Sequence, residues 1–363
     1  MDILNWWNNL LPLSEEEIKI LHRPLSHTKD SDEALQFYMK PKATNDQQWE
    51  KFKQKFFNKL FMPSKIQDRQ LAFEESATTF INYLFDKYVD DNTLIISTDS
   101  EHPSVKKCLV KYKNKYILNF ERDIITYSID KILFEAKKYK KVFVYIIGTK
   151  NATGEITPQE FFVQLKQKFE KNNIFYTLVL DDVQGMFLMP RDYSIFDYII
   201  GTAHALCPGY DMGIMLSKYF EFGKKAYNWG EEYLKHLDIM LKRRNKINIF
   251  KTVMLSYYKK HLNIDNKLAN PLSVPYIFYF TIKDLNFTQK TTDLLHKFNL
   301  LIPAYDFSPI TFVHMRCHEF IYNKSLLPHA ISILNFILEN KAVLNEKALN
   351  SYIENELIKM NLF

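Results

Sequence analysis

The sequence predicts an α/β fold: a large domain on a mostly parallel sheet flanked by helices, followed by a smaller α+β C-terminal domain. Two observations carry this. Between about residues 70 and 216, short apolar runs rich in Val, Ile, Leu, Phe and Tyr alternate with longer stretches of helical spacing, the signature of βαβ units. The runs are apolar at nearly every position, as strands buried on both faces must be. Beyond about residue 264 the order changes to strand, helix, strands and two closing helices, which marks the smaller domain.

Taken in order, residues 1–69 read as a helical segment, with SEEE capping a short helix over 14–22 and helical spacing in QQWEKFKQKFFNKLF at 47–61. Residues 70–263 form the predicted large domain. A short strand, QLAF, precedes the amphipathic helix SATTFINYLFDKYV (76–89), and TLIIST (93–98) is a strand. IDKILFEAKKY (129–139) is helical, VFVYIIG (142–148) a strand, PQEFFVQLKQKFEKN (158–172) helical, and FYTLVLDD (175–182) and FDYIIGT (196–202) are strands. A helical stretch over 219–263 leads to the small domain at 264–363. There we expect strands at 276–282, near 300–304 and at 310–316, and helices at 288–298, 324–339 and 345–358.

Composition narrows the function. A chain of 363 residues, 47% hydrophobic and 25% charged, with 8 glycines and 13 prolines, has a packed core and no room for long disordered linkers. The net charge of +6 is dispersed; KKYKK (137–141) and KRR (242–244) read as solvated faces, so no nucleic-acid partner is expected. Three separated cysteines without metal spacing fit a reducing, cytoplasmic setting, and no metal site is expected. The first residues lack the basic and small-residue pattern of a signal peptide, and no apolar run is long enough to span a bilayer, so no membrane association is expected.

Polar residues at the predicted strand ends are the candidates for chemistry, since functional groups in parallel sheets gather there. Ser76 to Thr78 open a helix whose free N–H groups could hold a phosphate or simply receive an N-cap. His102, in DSEHPSV, could stack on a planar ligand or be structural. Asn151 lies in the loop KNATGE; Asp181 and Gln184 follow a buried strand, where an aspartate either caps a turn or partners a cation.

Set in order, these segments resemble the class V aminotransferase and cysteine desulfurase-like family of fold-type I enzymes, which use pyridoxal 5′-phosphate (PLP). FEESATTFIN resembles the family's phosphate-binding turn, which implies Ala77 and Thr78 at the phosphate. DSEHPSV is similar to its Glu-His segment, implying that His102 stacks on the pyridine ring. KNATGEITP resembles the loop whose asparagine, here Asn151, reaches the cofactor. DDVQG is similar to Asp-x-x-Gln, implying that Asp181 pairs with the ring nitrogen and Gln184 with the ring oxygen. GTAHA resembles the segment that places Thr202 and His204 near the phosphate. MRCHEFIYN resembles the segment whose arginine, here Arg316, grips the substrate α-carboxylate, a task suited to a bidentate guanidinium. The resemblance implies PLP as cofactor, a small-molecule amino acid as substrate, transaminase or β/γ-lyase chemistry, and a homodimer.

One position departs. Where the family has the lysine that holds the aldehyde and shuttles the proton at Cα, this chain has Ala205. Retention of the other matched residues favours a deliberate Lys→Ala change that traps an external aldimine; the alternative is a naturally lysine-less, non-catalytic or atypical protein of the same fold. Glu74 and Glu75 stand where the phosphate turn usually has small residues, and no cysteine occupies the loop before Arg316, which argues against desulfuration through a protein persulfide. Cys207 and Cys317 read as packed residues. Tyr210, Tyr305, Phe307 and His318 could line a substrate pocket or simply pack.

Overall fold

The apolar runs become a seven-stranded sheet in the order β1-β7-β6-β5-β4-β2-β3. The computed structural model describes residues 46–60, 62–203 (apart from 125, 127 and 152), 212–219, 230–243 (apart from 232), 277–283, 287–301 (apart from 299), 310–316, 325–340 and 343–360, with isolated positions 17, 249, 252, 253 and 256. The strands are β1 (Gln70–Glu74), β2 (Thr93–Thr98), β3 (Lys115–Leu118), β4 (Lys141–Ile147), β5 (Tyr176–Asp181), β6 (Tyr198–Thr202) and β7 (Gly213–Ser217). Four neighbouring pairs, β3 with β2, β2 with β4, β4 with β5 and β5 with β6, are parallel. Only β7 is reversed, antiparallel to both β6 and β1.

The helices between them are α1 (Asp46–Phe57), α2 (Ala77–Tyr88), α3 (Pro103–Val110), α4 (Ile129–Ala136) and α5 (Gln159–Lys171). Each buries a stripe at helical spacing: Trp49, Phe52, Phe56 and Phe57 on α1, and Phe80, Ile81, Leu84 and Phe85 on α2. α2 and α3 cover one face of the sheet, where Phe80, Leu84, Phe85, Val105 and Cys108 pack with Ile95, Phe143, Tyr145, Val179, Tyr198, Ile200 and Met215. β2, β6 and β7 are buried at every position, so the apolar runs have the two-sided burial their composition predicts.

Two strands go beyond the expectation. β3 alternates exposed and half-buried side chains before ending on Leu118, and its KYIL lacks the continuous apolar run of an inner strand. β7 is fully buried but only five residues long.

The chain divides into two compact units: residues 23–151 with 155–240, which contain the seven-stranded sheet, and residues 1–22, 152–154 and 241–363. In the second unit, β8 (Ile277–Lys283), β10 (Ile310–Arg316) and the two-residue β9 (Leu300–Leu301) form a three-stranded antiparallel sheet in the order β8-β10-β9. α6 (Gln289–His296), α7 (Leu326–Asn340) and α8 (Glu346–Lys359) complete it. Residues 230–231 and 233–243 are helical, within the expected 219–263 stretch. No helix among the described residues is long and apolar enough to cross a membrane.

Candidate active site at one edge of the sheet

Because β7 alone is reversed, the carboxyl ends of β1, β2, β4, β5 and β6 all lie at one edge of the sheet, with the start of β7 set among them. Register carries specific residues there. Gly213 is opposite both Glu74 and Thr202, and Asp181 lies between Ile147 and Ile200. Side chains alternate along a strand, so Asp181 follows Val179, and Thr202 follows Tyr198 and Ile200, on the face that α2 and α3 cover.

At the end of β1 the chain turns into α2. Ser76 is the N-cap and its Oγ accepts from Thr79 N at 3.4 Å, which leaves the first N–H groups of the helix facing the edge. Thr78 Oγ1 shares a 3.0 Å hydrogen bond with Ser104 Oγ on α3, tying the amino ends of the two helices together. A Cβ on Gly213 would fall 2.4 Å from the Ser76 carbonyl carbon and oxygen, so β7 starts directly against this turn. Glu75 is exposed and Glu74 is half-buried at the end of β1.

At the end of β2, His102 is the N-cap of α3, and its Nδ1 accepts from Ser104 N at 3.2 Å. Desolvation, then the charges of Lys106 and Lys107, lower its pKa, so the ring is neutral with Nδ1 as acceptor. Beyond β4, Asn151 Oδ1 accepts from Gln184 Nε2 at 2.6 Å, which joins the loop after β4 to the turn after β5. That turn is pinned below by Phe187, a non-glycine residue at φ 69° that packs edge-on against Phe56 of α1 at 5.2 Å. Gly185 is needed in the same turn: a Cβ there would fall 2.3 Å from Asp182 Oδ1.

Asp181 is the electrostatic centre. It is buried; Tyr145 OH donates to its Oδ2 at 2.8 Å and Val183 N to its Oδ1 at 3.2 Å. Burial raises its pKa to about 6, the two donated bonds pull the other way, and the charge of Asp182 adds to the rise. At neutral pH it is therefore chiefly ionised, a buried negative charge with no cation among its hydrogen-bond partners in the described residues. Asp182, by contrast, has a structural partner set: Tyr193 OH donates at 2.5 Å and the Arg191 guanidinium lies 3.7 Å away. Arg191 also donates to the Gly148 and Thr157 carbonyls, which fixes the loop after β4.

The structure thus brings Ala77, Thr78, His102, Asn151, Asp181, Gln184 and Thr202 to one sheet edge. Thr202 Oγ1 donates to Met212 O at 3.0 Å. Arg316 ends β10, the central strand of the other unit's sheet. His204, Ala205, Cys207, Tyr210, Tyr305, Phe307, Cys317 and His318 lie outside the described residues. The sequence reading missed Tyr145, one letter within an apolar strand, and Ser104, whose bond to Thr78 is a tertiary fact. No cluster of metal-ligating side chains occurs among the described residues.

Comparison with solved structures identifies the architecture. A NifS-like protein from Rickettsia africae superposes with a TM-score of 0.59 at 13% identity, covering 90% of this chain and 97% of that one. A PLP-bound C-S lyase from Staphylococcus hominis gives 0.61 at 8% identity over 90% and 88%. A lysine-to-alanine variant of serine palmitoyltransferase from S. paucimobilis, with a bound PLP–myriocin aldimine, gives 0.55 at 9% identity over 93% and 86%. The fold is therefore that of the fold-type I PLP-dependent transferases. No known family profile matches the chain. Among curated sequences, Protein VP3 of Rotavirus A is 29% identical over 114 residues, which are 30% of this chain and 14% of that protein.

Proposed function

We propose that this chain binds PLP at the described sheet edge and belongs to an enzyme type that transforms an amino acid by transaminase or β/γ-lyase chemistry. The single observation that carries the reading is Asp181. Its ionised carboxylate is buried at the end of β5, accepts from Tyr145 and Val183 and has no cationic partner among the described residues, so it offers the negative acceptor that a protonated ring nitrogen, itself a donor, requires. The other residues fit the same group. The amino end of α2, with Ala77 and Thr78, suits the phosphate; the neutral ring of His102 suits stacking; Gln184, held by Asn151, suits the ring oxygen. By resemblance, Thr202 and His204 add to the phosphate side and Arg316 takes the substrate carboxylate, and a homodimer completes the protein.

When bound, PLP supplies an electron sink for a carbanion at the substrate Cα. Asp181 keeps the ring nitrogen protonated. His102 and Gln184 fix the plane of the ring, and Arg316 orients the amino acid as a bidentate fork. Ala205 brings no amine, so this chain has the binding parts without the group that holds the aldehyde and moves the Cα proton. That observation favours a second reading beside the first: as it stands, the chain is a PLP- and amino-acid-binding protein with little or no turnover. The lysine-to-alanine variant of serine palmitoyltransferase, which holds a PLP adduct, supports binding without that lysine.

The test is absorbance. The chain with added PLP is expected to retain a visible band after desalting, and Asp181→Ala to lose it. Ala205→Lys is expected to shift the band and to gain turnover on amino acids. An Ala205→Lys protein that retains no PLP would sink the reading; one that retains PLP and turns nothing over would favour the binding-protein reading.

A further inference from the structure

Glu101, between β2 and His102, is fully buried although nothing at the proposed ring or phosphate uses it. Two donors reach one oxygen: Thr98 Oγ1 donates to Oε1 at 2.7 Å, and Ile147 N donates to the same atom at 3.0 Å. Oε2 is buried with no partner among the described residues. A carboxylate here would leave charge on an oxygen without a donor, in a medium where that is costly. A carboxylic acid fits better. Its carbonyl oxygen is Oε1, which receives both donors, and its proton sits on Oε2.

The neighbourhood explains why. Ile147, which anchors Glu101, is the register partner of Asp181, and Tyr145, two residues earlier, donates to Asp181. Two enclosed carboxyl groups this close do not both ionise near neutrality. We propose that Glu101 keeps its proton so that, of these two carboxyl groups, Asp181 alone is charged, which makes Glu101 a positioning residue for the negative charge that a cationic ring nitrogen would meet. The titratable groups facing Glu101 are Asp181 and Tyr145, and the Tyr145 hydroxyl is committed to Asp181. Burial, then the charge of Asp181, push Glu101 up to about 8, while Asp181 lies at about 6, the same order that the geometry gives. The division of charge holds for the ligand-free chain; its use toward a cofactor rests on the proposed function.

Infrared difference spectra of the full, ligand-free chain test this, comparing the unsubstituted protein with Glu101→Gln and Asp181→Asn across pH. Glutamine keeps an oxygen for both donors and is neutral, so E101Q is expected to leave the Asp181 midpoint within about half a pH unit of its original value. It should also remove a protonated-carboxyl band present at neutral pH. D181N, which removes the neighbouring charge, is expected to lower the Glu101 midpoint by about one unit or more. A fall of more than about one unit for Asp181 in E101Q would show that Glu101 is charged over that range and would overturn the proposal. So would a neutral-pH band unchanged by E101Q. Should E101Q fail to fold, the D181N arm decides alone: a Glu101 midpoint that does not move overturns the assignment. Failure of the unsubstituted chain to bind PLP would sink the proposed function and leave this division of charge standing.

Discussion

At the scale of single residues, the site is a problem of burying charge. Asp181 and Asp182 are adjacent and both enclosed, yet they are handled differently. Asp182 has Arg191 and Tyr193 and serves the loops around it, whereas among the described residues Asp181 has only neutral donors. Tyr145→Phe tests how much the phenol contributes. It removes the donated bond that lowers the Asp181 pKa, so that pKa should rise above about 6. A carboxyl whose folded pKa is raised above its unfolded value loses stability as pH climbs through the folded pKa. The variant is therefore expected to lose about 1–3 kcal/mol at pH 8, where the bond is to a charged group, and less at pH 5, where Asp181 is protonated in both proteins. Denaturant titrations at the two pH values measure this. A loss that is equal at both would mean that Tyr145 acts through packing and not through the carboxylate.

At the scale of elements, the edge works because helix starts and strand ends are forced together. Gly213 and Gly201 show where the geometry is rigid. A Cβ at Gly213 would meet the backbone of Ser76 and Ala77, at 2.4 and 2.6 Å, which cannot yield without shifting β7 or the start of α2. A Cβ at Gly201 would meet the Cε and Sδ of Met186, each at 2.5 Å, the far end of a flexible side chain. Gly213→Ala should therefore cost at or above the upper end of the roughly 1–3 kcal/mol typical of overpacking, and Gly201→Ala near or below the lower end. Only Gly213→Ala should also weaken PLP retention. Equal effects would mean that the turn before α2 is softer than its contacts indicate. The same contrast explains what the sequence revealed. β2, β4, β5 and β6 were legible because burial on both faces removes polar residues from a strand. β3 was not, because an exposed edge strand keeps Lys and Tyr, and β7 was passed over although it is as long and as apolar as β6. Asp181, His102 and Asn151 could be named as candidates from their order along the chain. The pairing of Glu101 with Tyr145 around Asp181 could not, since it exists only once β2, β4 and β5 lie side by side.

At the scale of the whole molecule, every described residue assigned to ring or phosphate belongs to one compact unit, residues 23–151 with 155–240, and Arg316 belongs to the other. A chain of two units does not have to melt in one step. A ligand that binds only the folded state stabilises the part that holds it by RT ln(1 + [L]/Kd), about 2.7 kcal/mol at a hundredfold excess over Kd. Titrating PLP during calorimetry should therefore raise the transition of the sheet-bearing unit progressively. Asp181→Ala should abolish that rise even if the variant is no less stable without ligand. The proposed phosphate anchor is separate, so inorganic phosphate should give a smaller shift that Asp181→Ala leaves in place, since the proposal gives Asp181 to the ring nitrogen and not to the phosphate. If PLP and phosphate gave equal shifts in the unsubstituted chain, only the helix end would be engaged and the assignment of Asp181 to a cationic ring would fail.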